Sequence, residues 1–154
     1  VDIEPKEIKK QSNATVTQST GEQYLESLLA SNTKTKFSLV YLDNHDWDYA
    51  ASANTNKKLR IQQEAVYKKY DIELNNVNSQ KAHLLQAILL TDLLTANATI
   101  MCDDTWYDKN YQTYMGKCSS AIPYLLSIGF KIAHAEGYQN EPASCVIMTR
   151  RQND

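Results

Sequence analysis

This chain of 154 residues has few glycines, few cysteines and no long apolar run. Its four glycines are Gly21, Gly116, Gly129 and Gly137, and no two of them form a G-x-G pair. No glycine-rich loop that brings backbone close to a phosphate or dinucleotide is therefore written in these residues. Cys102, Cys118 and Cys145 are odd in number and scattered, which excludes a disulfide framework and fits reduced thiols, two of them inside apolar runs. The apolar stretch at 87–90 is broken by Thr91 and Asp92, far short of the roughly 20 residues that cross a bilayer. Charge of either sign is not in excess: the formal net charge of -2 makes no global field for nucleic acid or anionic lipid, so neither partner is expected. No basic region followed by an apolar core opens the sequence, and the cytoplasm is the expected location. Asn13 and Asn97 each begin a glycosylation triplet, a pattern common by chance, and neither is read as modified.

What is present is an alternation of short β-branched runs with longer amphipathic ones, the pattern of βα units and a mainly parallel sheet in one domain. The spacing predicts a strand end at 1–3, a short helix at 6–11, a strand at 14–18 and a helix at 22–30 that offers Tyr24, Leu25, Leu28 and Leu29 to a core. A strong strand at 37–42 stops at Asp43. A loop follows at 44–56, then a helix at 59–70 with a solvated face of Gln and Lys. Asn78 and Ser79, both capping types, precede a helix that presents Leu84, Leu85, Ile88, Leu89 and Leu93 to the sheet. A buried strand at 98–102 ends in Asp103-Asp104. A helix at 119–128 turns Ile122, Leu125 and Leu126 inward and stops at Gly129. Strands at 130–135 and 144–149 are joined closely enough for an antiparallel hairpin, because a parallel pair needs a crossover of a dozen or more residues.

In open α/β sheets ligands bind beyond the carboxyl ends of the strands. Two of the best strands here end in acids, Asp43 on one and Asp103-Asp104 on the other. If these strands are neighbours, their tips lie about 5 Å apart, and the carboxylates of both could share one oxygen-ligated divalent ion such as Mg²⁺ or Mn²⁺. The bland alternative is that strand-end acids cap a helix or solvate a loop, the commoner fate of a single Asp. His45, beside Asp43, has the residue type for a general base at neutral pH, or is an exposed loop histidine. His83, within an apolar helix, fits either a satisfied half-buried residue or a site component, and His134 is expected to be structural. Trp47, Tyr49, Trp106, Tyr107, Tyr111 and Tyr114 flank the acids and could wall an apolar or adenine pocket or simply cover the rim of the sheet.

The segments Val1-Asp2-Ile3-Glu4-Pro5, Gly21-Glu22-Gln23-Tyr24-Leu25, Phe37-Ser38-Leu39-Val40-Tyr41-Leu42-Asp43, Met101-Cys102-Asp103-Asp104, Gly116-Lys117 and Tyr124-Leu125-Leu126-Ser127-Ile128-Gly129-Phe130 resemble, in order and spacing, class I S-adenosylmethionine-dependent methyltransferases. The resemblance is greatest to metal-dependent small-molecule O-methyltransferases. It implies a Rossmann-like, mostly parallel sheet with helices on both faces and an antiparallel C-terminal hairpin strand. By position it implies that Asp2 meets the cofactor ribose, that Glu22 lies near the adenine, and that Asp43, Asp103 and Asp104 are metal ligands. His45 lies close to where some members place a base. The substrate would be a small-molecule hydroxyl and the cofactors S-adenosylmethionine and a divalent cation.

The sequence departs from that family in one respect. The family's first strand and glycine-rich loop would precede Val1, so residues 1–154 are expected to be one methyltransferase-like domain truncated at its N-terminus. Without that central strand the sheet must close a gap, leave edges exposed or borrow a strand from another chain, a homo-oligomer being one such outcome. Weak or no cofactor binding by this chain alone is the expectation. A catalytically inactive binding or assembly module and a metal-dependent hydrolase are the rival readings.

Overall fold

The computed structural model describes residues 17, 19–43, 45–48, 57–69, 71–136 and 144–150, with no side chains described at 57–60, 63 or 136. Asp2, the elements expected at 1–3 and 6–11, nearly all of the strand expected at 14–18, most of the 44–56 loop and the hairpin turn after 136 lie outside these residues. The elements run α1 (Gly21–Ala30), β1 (Phe37–Leu42), α2 (Lys57–Lys69), α3 (Asn76–Leu90), a 3₁₀ turn (Thr91–Leu93), β2 (Leu94–Asp103), β3 (Thr105–Asp108), β4 (Thr113–Gly116), α4 (Ala121–Ser127), β5 (Lys131–Glu136) and β6 (Cys145–Thr149). No described helix is long and apolar enough to cross a membrane.

Local chemistry sets the helix ends. Thr20 and Gln23 form a reciprocal capping box at α1: the Gln23 N–H donates to Thr20 Oγ1 at 3.2 Å, and the Thr20 N–H to Gln23 Oε1 at 3.4 Å. α3 starts a turn earlier than its sequence suggested, because Asn75 rather than Asn78 or Ser79 is the cap, accepting the Asn78 N–H at 2.8 Å. α4 stops where Gly129 adopts φ +93°, a left-handed conformation open to glycine at little cost.

β1, β2, β6 and β5 form one mixed sheet in that order. β1 and β2 are parallel, with Leu42 opposite Cys102, whereas β2–β6 and β6–β5 are antiparallel. The expected closing hairpin is thus present, with Glu136 opposite Cys145. One face of the sheet is dry: Ala98, Ile100 and Cys102 of β2 and Val146 and Met148 of β6 are fully buried at period two. Leu25 of α1, Ala87 and Leu90 of α3, and Ile122 and Leu125 of α4 complete this core. On β1 the alternate residues Leu39 and Tyr41 remain 61% and 54% exposed.

Two expectations about packing are corrected. α3 buries Ser79, His83, Gln86, Ala87 and Leu90, while Leu85 and Ile88 face outward and Leu84 and Leu89 are only half-buried. Apolar residues occur almost all round the second half of this helix, so their spacing did not fix its orientation. What turns it is the set of hydrogen bonds made by its polar residues, described below. On α4, Ile122 and Leu125 are buried as expected but Leu126 is 43% exposed. The stretch after Asp104 is also more regular than expected, for β3 and β4 make a separate antiparallel hairpin with Trp106 opposite Met115.

Candidate functional site

Because β1 and β2 run in the same direction in adjacent register, their carboxyl ends open together. Asp43 follows the last residue of β1, Asp103 is the last residue of β2, and Asp104 turns the chain into β3. One carboxylate oxygen from each of the three lies within 4.8 Å of the others. The geometry expected of the strand tips is thereby met. Asp104 sits at φ +44°, uncommon for a residue with a side chain, and two contacts hold it there. The Lys117 N–H donates to the Asp104 carbonyl at 3.1 Å. Gly116 passes directly over the same carbonyl, where a Cβ would come within 2.0 Å of the oxygen. Thr105 locks the turn further, its Oγ1 donating to the Asp103 carbonyl at 2.8 Å and accepting the Cys118 N–H at 3.1 Å.

Sequence reasoning missed the residue that ties the acids together. The Lys117 side chain is 2% exposed, and its Nζ lies 2.5 Å from Asp43 Oδ1 and 2.9 Å from Asp104 Oδ2. Burial alone would lower the Lys117 pKa, but Asp104 and Asp43 outweigh it and leave the ammonium held well above its usual range. Asp103 has a different partner, the Tyr41 hydroxyl. Its own pKa is raised, chiefly by burial and further by Asp43 and Asp104, with Tyr41 and Lys117 opposing. The available signal for Lys117 was the acid cluster itself, since clustered like charges need a cation and Lys117 directly follows a rare glycine.

The segment after Asp43 is clamped by α2 and α3. The Asp46 N–H donates to the Tyr67 hydroxyl at 2.6 Å, the Asp48 N–H to Asn76 Oδ1 at 2.7 Å, and Ser79 Oγ to the His45 carbonyl at 3.1 Å. Trp47 meets buried Trp106 edge-on at 6.2 Å between ring centroids. His45 is not an exposed loop residue: it is 6% exposed, lies edge-on to Tyr67 at 4.7 Å, and its Nε2 has no hydrogen-bond partner. Burial lowers its pKa and keeps the ring neutral near pH 7. Tyr67, itself buried, is pushed up to about 12 chiefly by desolvation. His83 is fully buried, and its Nδ1 lies 2.7 Å from the Ser79 carbonyl, so Nδ1 carries the proton and Nε2 is left as an unpartnered acceptor. Burial takes its pKa down to about 4.

Two cavities border this region. The larger, about 430 Å³, lies between α1 and β1 and is lined by Tyr24, Phe37, Tyr41, Asp43 and Gln86 among others. The smaller, about 220 Å³, is lined by Thr20, Glu22, His45, Tyr67 and Lys81 among others. Gln86 joins them, donating from Nε2 to Glu22 Oε1 at 2.8 Å while packing beneath Gly21, where a Cβ would meet it at 2.8 Å. The structure therefore unites Asp43, Asp103 and Asp104 at the strand tips and sets His45 with Glu22 on the neighbouring cavity. Of the flanking aromatics, Trp106 is buried, Tyr107 and Tyr114 form an edge-on pair at 5.1 Å, and Tyr111 is exposed.

The three acids supply the hard oxygen donors that a divalent cation takes, at a spacing one ion can span, although Lys117 already contacts two of them. Neither a protein-family model nor a curated protein sequence matches the chain, which leaves the geometry of the strand tips as the ground for assigning a function.

Proposed function

We propose that this chain is an S-adenosylmethionine-dependent methyltransferase domain of Rossmann-like fold that methylates a hydroxyl of a small molecule with the help of a divalent cation. The observation that carries this reading is the convergence of Asp43, Asp103 and Asp104 at the ends of two adjacent parallel strands. A dinucleotide- or nucleoside-type ligand in such a sheet occupies this end, and the antiparallel C-terminal hairpin agrees with the resemblance drawn from sequence. A divalent cation held by Asp43, Asp103 and Asp104 would supply Lewis acidity that makes a substrate hydroxyl easier to deprotonate.

The remaining roles fall to the chain itself. Glu22 borders the smaller cavity, where a carboxylate oxygen can accept from a ribose or adenine donor, and Tyr24, Phe37 and Tyr41 give the larger cavity an aromatic wall. His45 is neutral with an unpartnered Nε2, and would accept the proton that the substrate loses once that buried atom is uncovered. The Asp104 turn, held by the Lys117 N–H, fixes the backbone that carries this carboxylate before any ligand arrives.

Calorimetric titration of the chain with S-adenosylmethionine, with and without Mg²⁺, tests the reading. Binding of the cofactor, weak because no glycine-rich loop is present in these residues, is the expected result. Metal binding without cofactor binding would turn the assignment to a metal-dependent hydrolase, and binding of neither would leave a non-catalytic binding module.

A further inference from the structure

Lys117 reaches the acid cluster from the β4–α4 junction with little freedom in its backbone. Its N–H is bonded to the Asp104 carbonyl, Gly116 before it is at φ +95° against that same carbonyl, and the Ser119 N–H donates to the Gly116 carbonyl at 3.2 Å. The side chain then delivers its ammonium between Asp43 and Asp104, at 2.5 and 2.9 Å. Hard divalent cations take carboxylate oxygens at about 2.0–2.6 Å. An ion drawing on all three acids would lie among the oxygens that Nζ now occupies, and two cations that close in a partly buried site repel strongly. Each carboxylate offers a second oxygen, so ion and ammonium compete for Asp43 and Asp104 through charge repulsion rather than through space.

Lys117 nevertheless has a way out. The side chains of Asp43 and Asp104 are 39% and 26% exposed, so solvent lies just beyond them, and a lysine has a flexible four-carbon stem. Three carboxylates and one ammonium leave two negative charges at the tips. A divalent ion with the ammonium expelled leaves one, so the exchange is favoured by charge and opposed by the loss of two partly buried ion pairs.

We propose that Lys117 is a built-in competitor of divalent cations, its ammonium and the metal ion using the same carboxylates of Asp43 and Asp104, so that the cluster takes up metal only as Lys117 leaves it. This inference rests on the metal-holding part of the proposed function. In the metal-free state Lys117 keeps the acids in position. In the loaded state its amine is turned to solvent.

Two measurements on the full chain test the exchange. Mn²⁺ binding followed by electron paramagnetic resonance should be at least about tenfold tighter in Lys117→Met than in the wild type, and weak in Lys117→Met combined with Asp103→Asn. Acetylation of Lys117 in the wild type, read by mass spectrometry, should rise when saturating Mg²⁺ is present. Equal or weaker Mn²⁺ binding by a folded Lys117→Met protein would overturn the inference and leave the metal site standing. No binding by either protein would overturn both. Should Lys117→Met fail to fold, the wild-type labelling decides: Lys117 equally protected with Mg²⁺ bound overturns the exchange.

Discussion

The bodies of β1 and β2 and their tips are built on opposite principles. Along β2 and β6, Ala98, Ile100, Cys102, Val146 and Met148 are held by apolar burial without a single charge. One residue past Cys102 the same strand enters a cluster of three carboxylates, one ammonium and a phenol. Burial is non-directional and tolerates imprecision, whereas buried charge is stable only when each group meets its partner. The difference teaches that the body provides the stability and the tips spend some of it on fixed geometry, as functional sites do.

Leu125→Ala should show the largest effect of breaking the body. Leu125 is fully buried in the core, and its truncation should cost roughly 2–5 kcal/mol of unfolding free energy while leaving the tips able to bind. Urea denaturation beside a metal titration checks both halves. A stability loss under about 1 kcal/mol would mean that the core has rearranged around the vacancy.

Second in size is a pH effect from His83, which belongs to both regions because it lies in the core and faces the polar cluster. Its pKa falls from the ordinary 6.5 to about 4 on burial, so the unfolded chain binds a proton that the folded one refuses. The associated stability is complete above about pH 6.5 and is lost as the pH falls toward about 4, on the order of 3 kcal/mol in all. Urea midpoints at pH 7 and pH 4.5 should differ by less in His83→Gln than in the wild type. Identical pH dependence in the two proteins would remove His83 from the account.

Asp103→Asn should be the mildest for the fold. Asp103 is part-buried with a raised pKa and keeps a hydrogen-bonding oxygen for Tyr41 as Asn, so the stability change should stay within about 1 kcal/mol. Under the proposed function, metal-dependent methyl transfer should nevertheless disappear. Unfolding of the variant, seen by circular dichroism, would make Asp103 a structural residue instead.

The same contrast explains what could be read from sequence. The strand ending in Asp43 and the strand ending in Asp103-Asp104 were legible because a short run of β-branched and apolar residues and an abrupt stop are local signals. The stop of α4 at Gly129 is local too. The orientation of α3 was not: Ser79 and Gln86 turn inward toward partners distant in sequence, Ser79 reaching the His45 carbonyl and Gln86 reaching Glu22. Leu85 and Ile88 are left outside for the same reason. Lys117 was hidden because only the fold carries it to Asp43, 74 positions earlier in the chain. The β3–β4 hairpin had a usable signal, an aromatic-rich pair of segments around a polar turn at 109–112.

The central claim is that the tips of two parallel strands form one cation-binding site, and Mn²⁺ titration of the ¹⁵N-labelled chain addresses it most directly. Paramagnetic broadening should strike the amides of Asp43, Asp103 and Asp104 together at the lowest metal concentrations. Broadening confined to one of the two loops, or spread over surface acids such as Glu26 and Asp92 with no preference for the tips, would contradict it.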